Sequence, residues 1–160
     1  NVLGKYQNIW DRYRNVIGIF IRKTLNGIPI LVYGDGEQTR AFSDIQYYME
    51  PFDLLHDNFD GEIFNIGADK FFTLNQVAET VQKIGKKYGY DVPIEHAEGR
   101  HEVKHAYCNH DKAKTMLGFR DNTKLEELIE DMFVWAMNQP NRKVKDFEYE
   151  ITDGIYDYWK

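Results

Sequence analysis

A chain of 160 residues, 42% apolar and 15% aromatic, is long enough to bury one sizeable core and too apolar to remain disordered. Its formal charge of −6 argues against a general nucleic-acid binder, which needs a basic face, yet leaves room for a local cationic pocket. The single cysteine, Cys108, excludes an internal disulfide and fits a reducing, cytoplasmic setting, and no apolar run is long enough to span a membrane.

The N-terminus has neither a starting Met nor a signal-peptide pattern, so Asn1 reads either as a processed end or, the preferred reading, as a cut into a longer protein. Apolar strand-like runs then alternate with amphipathic ones, which predicts an α/β or α+β fold. Val16 to Leu25 reads as a helix, because Phe20 and Thr24 follow Val16, and Ile21 and Leu25 follow Ile17, at helical spacing. Asn15 is placed to cap its start and Asn26-Gly27 to close it in a left-handed turn. Ile30 to Tyr33, bounded by Pro29 and Gly34, reads as a buried strand. Gly34 to Thr39 is a turn, after which Arg40 to Ile45 is extended.

Met49 to Phe59 is expected to be helical, with Pro51 in the first turn. Glu62 to Gly67 reads as another short strand. Thr73-Leu74-Asn75-Gln76 has the form of a capping box, opening a helix with Leu74, Val77, Val81 and Ile84 on one face. Val92-Pro93-Ile94 begins a strand. Asp111 to Leu117 is a short helix stopped by Gly118. Thr123 to Glu126 resembles a second capping box, and the helix it opens turns Leu125, Leu128, Ile129, Met132, Phe133 and Ala136 inward until Pro140. The charged and then aromatic tail, residues 143–160, is set apart from a domain of residues 1–142 and is expected to dock in part, because so many exposed aromatics would be a liability.

The loop Gly34-Asp35-Gly36-Glu37-Gln38-Thr39-Arg40 carries most of the chemical information. Glycines let backbone approach a ligand closely, and an arginine at the exit presents a planar fork to phosphate oxygens. The same letters also describe an ordinary hairpin turn followed by a surface charge. Arg100, in a loop between a strand and a helix, reads either as a second arm for a diphosphate or as a solvated charge. The five histidines do not form a metal set: His101 and His105 lie in a segment that looks extended, too far apart to share an ion. Cys108, close to His105 and His110, could imitate a Cys–His pair but is better read as a small buried thiol. No G-x-S-x-G elbow and no other catalytic set is present.

In order and spacing, these pieces resemble the C-terminal part of the NAD-dependent epimerase/dehydratase family, the extended short-chain dehydrogenase/reductases, in their UDP-glucose 4-epimerase flavour. Asn1-Val2-Leu3-Gly4-Lys5 matches the family's N-x-Y-G-P. Gly27 through Phe42 matches its G-x-P…G-D-G-x-Q-x-R-D-F, and Gly61 through Gly67 its G-x-x-F-N-I-G. Arg100 through Ala106 matches R-P-G-E-V-x-H-A, and Asn109 through Gly118 matches D-x-x-K-A-x-x-x-L-G.

The resemblance implies a smaller α/β substrate domain that follows a Rossmann domain, here absent. It implies that Asn1 and Val16 touch a nucleotide-sugar, a UDP-sugar above all. Leu31 and Tyr33 would contact the base, and Arg40 and Arg100 would bind the diphosphate. It implies NAD as cofactor of the full-length parent and none for this stretch, which lacks the glycine-rich NAD fingerprint and the Tyr-x-x-x-Lys pair. The missing Rossmann domain and a homodimer of the parent are the partners it implies. No catalytic residue and no metal ligand is expected in this chain. Lys5, Asp44 and Gln46 depart from the family pattern, which keeps open a second reading as a non-catalytic binding or interaction module.

Overall fold

The computed structural model describes residues 1–11, 15–56, 59–142 and 153. In chain order the elements are β1 (Val2–Leu3), α1 (Val16–Leu25), β2 (Ile30–Tyr33), β3 (Thr39–Ala41), β4 (Ser43–Asp44), a 3-10 turn (Ile45–Tyr48), α2 (Met49–His56), β5 (Phe71–Thr73), α3 (Leu74–Lys87), β6 (Ile94–Ala97), β7 (His105–Ala106), α4 (Asp111–Met116) and α5 (Leu125–Met137). This is the expected mixed α/β architecture. The tail beyond residue 142 lies outside the described residues except at 153.

The three long helices form the main core. Ile17, Phe20 and Ile21 of α1, Val77, Val81 and Ile84 of α3, and Ile129, Met132 and Phe133 of α5 pack with Ile30 and Val32 of β2. Each helix contributes residues three or four apart, the spacing that puts them on one stripe. Gly85 lets α1 and α3 approach: a Cβ there would stand 2.6 Å from Thr24 Cγ2 and 2.9 Å from the Tyr90 carbonyl. Thr24 is itself buried, its hydroxyl donating to Phe20 O at 2.9 Å. A smaller cluster gathers Ala113, Leu117 and Phe119 with Tyr47, Leu55, Phe64 and Ile66.

Among the described residues the strands form three small sheets, and none of the pairings is a tight hairpin. β2 pairs β6 in parallel, with Ile30 opposite Ile94 and Leu31 opposite Glu95. β3 lies between antiparallel β5 and parallel β7. β1 pairs β4 in parallel. The turn after Tyr33 therefore carries the chain from one sheet into another, not back along the same one as a hairpin would.

Several expectations are corrected. Glu62 to Gly67 is not a strand: it has no neighbouring strand among the described residues, and extended backbone without a ladder is not a sheet. The second helix ends at His56 as described, and Phe59 has φ 66°, which no right-handed helix admits. Asn15 makes no side-chain cap; its own φ is 57°. Thr123 does not cap α5 either. Its hydroxyl donates to Asp121 Oδ1 at 2.6 Å and accepts from the Asp44 amide at 3.0 Å, and Lys124 stands at the N-cap. The Thr73 capping box does form, in both directions with Gln76.

Candidate functional site

The loop after β2 is fixed by the start of α3. Asn75 donates its amide to Gly36 O at 3.1 Å and its carboxamide to Asp35 O at 2.9 Å and Glu37 Oε1 at 2.8 Å. The capping box that begins α3 thus also places the side chain that clamps the loop. Gly36 meets two demands: its φ is 74°, and a Cβ would collide with the Asn75 carboxamide. Gln38, buried at the loop's end, donates to Tyr33 O and Glu102 Oε1, both at 3.0 Å.

From this anchored loop Arg40 enters β3. Its Nη2 meets Glu102 Oε2 at 2.8 Å, and its Nη1 donates to Thr39 O at 2.8 Å. Parallel pairing of β3 with β7, and the Thr39 amide on Lys104 O at 2.8 Å, bring the 100–106 segment to this spot. Arg100 lies between β6 and β7, so the segment runs strand to strand and not strand to helix as expected. Its guanidinium carbon stands 3.1 Å from the centre of the Tyr33 ring, a stacked cation–π contact.

These residues line one cleft of about 370 Å³ together with Asn1, Val16 and Leu31, a size suited to a small ligand. All six residues singled out from the sequence thus border the same space. The sequence reading missed Asn15, Ile19, Arg22, Lys23 and Glu102, which also border it. A signal for part of this existed: Ile19 and Lys23 follow Val16 at helical spacing and so share its face. For Glu102 there was none beyond its nearness to Arg100, because only the fold brings it to Arg40.

Four cations and one carboxylate border the cleft, although the whole chain carries −6. Lys23 feels the arrangement: partial burial, then the Arg22 charge, hold its pKa below the ordinary lysine value. Two guanidinium groups, one on an aromatic ring and one on a carboxylate, can hold the oxygens of a diphosphate, and the Tyr33 ring offers a face to a flat group.

No group of three or more potential metal ligands occurs among the described residues. His105 instead meets Thr39 Oγ1 at 2.8 Å through Nδ1. Cys108 is half-buried, less covered than expected, and His110 turns its Nε2 to Asp69 Oδ1 at 2.7 Å. The glycine-rich loop is not a dinucleotide fingerprint: it joins strand to strand, whereas the fingerprint joins strand to helix. No helix of the described residues is long and apolar enough to cross a membrane.

Residues 1–67 match the profile of the NAD dependent epimerase/dehydratase family. A UDP-N-acetyl-alpha-D-glucosaminuronate decarboxylase of Bacillus cytotoxicus is 30% identical over 77% of this chain and 40% of its own length. A GDP-mannose 3,5-epimerase of Arabidopsis thaliana is 31% identical over 86% of this chain and 38% of its own. The crystal structure of a UDP-glucose 4-epimerase with UDP-glucose from Thermotoga maritima superposes with a TM-score of 0.75 at 28% identity, over 85% of this chain and 43% of that one. The chain spans about 40% of the length of these relatives. Similarity over most of this chain, in sequence and in fold, makes it a member of the NAD dependent epimerase/dehydratase family.

Proposed function

We propose that residues 1–142 form the substrate-binding part of an NAD-dependent nucleotide-sugar epimerase or dehydratase, and that the substrate is a UDP-sugar. The observation that carries this reading is the meeting of Arg40, Arg100 and Tyr33 in one cleft. Arg40 exchanges Glu102 for a phosphate of the diphosphate, and Arg100 takes the other. Leu31 and Tyr33 face the cleft from β2, whose other neighbour is β6. The amides of Ile30 and Gly34 donate toward β6, so by the alternation of a strand those of Leu31 and Tyr33 turn to its other edge, where a base can meet them. Asn1 and Val16 close the cleft beside them. Holding the unreactive nucleotide end in this way positions the sugar for chemistry elsewhere.

That relatives are named for UDP-sugars and for GDP-mannose supports the substrate class. Proton and hydride transfer, with the NAD that carries the hydride, belong to a Rossmann domain outside this chain. Support for such a neighbour comes from the exposed Met49, Phe52 and Ile63 and from the unladdered 62–67 segment. A homodimer of the whole enzyme and a cytoplasmic setting complete the proposal.

Calorimetry of the intact protein with UDP, dTDP and GDP tests it. Binding of at least one of them, UDP most tightly, is the expected result, and heat from none would sink the reading.

A further inference from the structure

A second, smaller groove has no task in the reading above. It runs between the C-terminal ends of α1 and α5, with Ile9, Trp10, Leu25, Tyr90 and Met137 as its apolar lining. Its volume is about 180 Å³. Small-molecule sites begin near roughly 300 Å³, so this space is of a size for side chains. Among the described residues Arg22 is the only charged one that lines it. The apolar surface continues outside the groove. Met137 and Val134, three residues apart on α5, are both exposed. So is Tyr6, whose ring meets Trp135 edge-on. Apolar surface gathered in this way marks a place where something docks.

The chain itself supplies an occupant. Asn141 lines the groove, and the Arg142 guanidinium carbon stands 5.0 Å from the centre of the Trp10 ring. Residues 143–160 therefore begin at this spot, and their composition suits it. Phe147, Tyr149 and Ile151 alternate with Glu148 and Glu150. In extended backbone that pattern puts the apolar side chains on one face and the carboxylates on the other. The groove answers with cations, Arg22 at its wall and Arg142 at its mouth. Phe147 follows Arg142 by five residues, a reach of at most about 18 Å, which lets the segment turn back onto the groove. So short a tether presents it at an effective concentration of about millimolar, far above what a second copy supplies in dilute solution.

We infer that residues 147–151 dock on this groove of their own chain, with Phe147 and Tyr149 against Trp10 and Met137 and the glutamates toward Arg22 and Arg142. Arg22 also borders the cationic cleft, so the docked segment touches a residue that the groove and the cleft share.

Hydrogen exchange of the intact protein, followed by mass spectrometry, tests this. The amides of residues 147–151 should exchange about tenfold or more slowly than in a free peptide of the same sequence. Dilution of the protein should not change that. Met137→Glu puts a carboxylate into the groove wall and should remove the protection. Met116→Glu, at an exposed position of α4 outside the groove, should leave it. Free-peptide rates in the intact protein would overturn the inference. Protection that survives Met137→Glu would overturn it too, since the segment then docks elsewhere. Protection lost on dilution would do the same, because the occupant is then a second copy. If Met137→Glu unfolds the protein, seen as fast exchange throughout α3, cross-linking decides instead. In a Cys108→Ser background, Met137→Cys with Phe147→Cys should form a disulfide within one chain, and Met116→Cys with Phe147→Cys should not. Equal yields from the two pairs, or none from the first, would overturn the inference.

Discussion

Arg40 and Glu102 face each other at 2.8 Å at the spot where the proposed function puts a phosphate. The carboxylate aligns the guanidinium in advance, and a phosphate competes for the same fork. Arg40→Ala is expected to weaken UDP binding about 10- to 100-fold, since hydrogen bonds to charged groups contribute about 1.5–3 kcal/mol each. Arg40→Lys should recover only part of this, because an ammonium cannot present two parallel donors; calorimetric titration of both variants checks it. Asp69 shows charge acting on stability instead. The hydrogen bond from Lys114 and that from His110 hold its pKa below the usual 3.8. A carboxylate depressed on folding contributes stability that is complete above its unfolded pKa and is lost as pH falls through its folded one. Asp69→Asn should therefore lower the melting temperature at neutral and alkaline pH and leave it nearly unchanged at the acid extreme, so that the acid slope of a plot of melting temperature against pH flattens. At this scale Arg40, Arg100 and Tyr33 were legible because a motif carries them. Glu102 and the Asp69–His110 pair were not, since their partners lie 62 and 41 residues away in sequence.

Helices reveal more of themselves in sequence than strands here. All four residues expected on the inner face of α3 and all six expected on that of α5 are buried. An amphipathic period is a local property that packing then uses. Glu62 to Gly67 has the composition of a strand, but a strand exists only with a partner, which no local pattern supplies. The two capping boxes make the same point. Thr73 and Thr123 both stand three residues before a Gln or Glu, yet only Thr73 closes the box, because Asp121 and the Asp44 amide take the hydroxyl of Thr123. Thr73→Ala should cost about 1 kcal/mol in chemical denaturation. Thr123→Ala should show no loss of helix in far-ultraviolet dichroism. Gly36→Ala is expected to be worse than Thr73→Ala, because it meets both a positive φ and the Asn75 carboxamide. It should weaken nucleotide binding along with stability, as the loop it distorts leads into Arg40.

Considered whole, the molecule keeps one large core beneath one cationic cleft, and α1 serves both. Its Ile17 and Ile21 are buried, Phe20 is buried and also reaches the cleft, and Val16, Ile19 and Lys23 border the cleft. Phe133, fully buried against Tyr88 and Tyr90, is a core residue that does not line that cleft. Phe133→Ala should cost about 3–5 kcal/mol, read as a fall in the denaturation midpoint. If the protein remains folded, its UDP affinity should hardly change, whereas a binding loss as large as that of Arg40→Ala would mean that core and cleft are coupled. The sequence conveyed the α/β class and the family but not this division of α1, which becomes visible only once β2 lies beneath it.

The parallel pairing of β2 with β6 also sets a clock on synthesis. Ile30 finds its partner Ile94 only after 64 further residues have been made, which at ribosomal speeds of about 5–20 residues per second takes roughly 3–13 s. The pairings of β3 wait in the same way, for Thr73 and then for His105. Among the described residues no local β contact holds β2 or β3 early, so the nascent chain carries both strands unpaired past the ribosome, and loop closure over such distances slows folding. During those seconds an apolar run such as Ile30-Leu31-Val32-Tyr33 is open to chaperones, and to other nascent copies of the same chain.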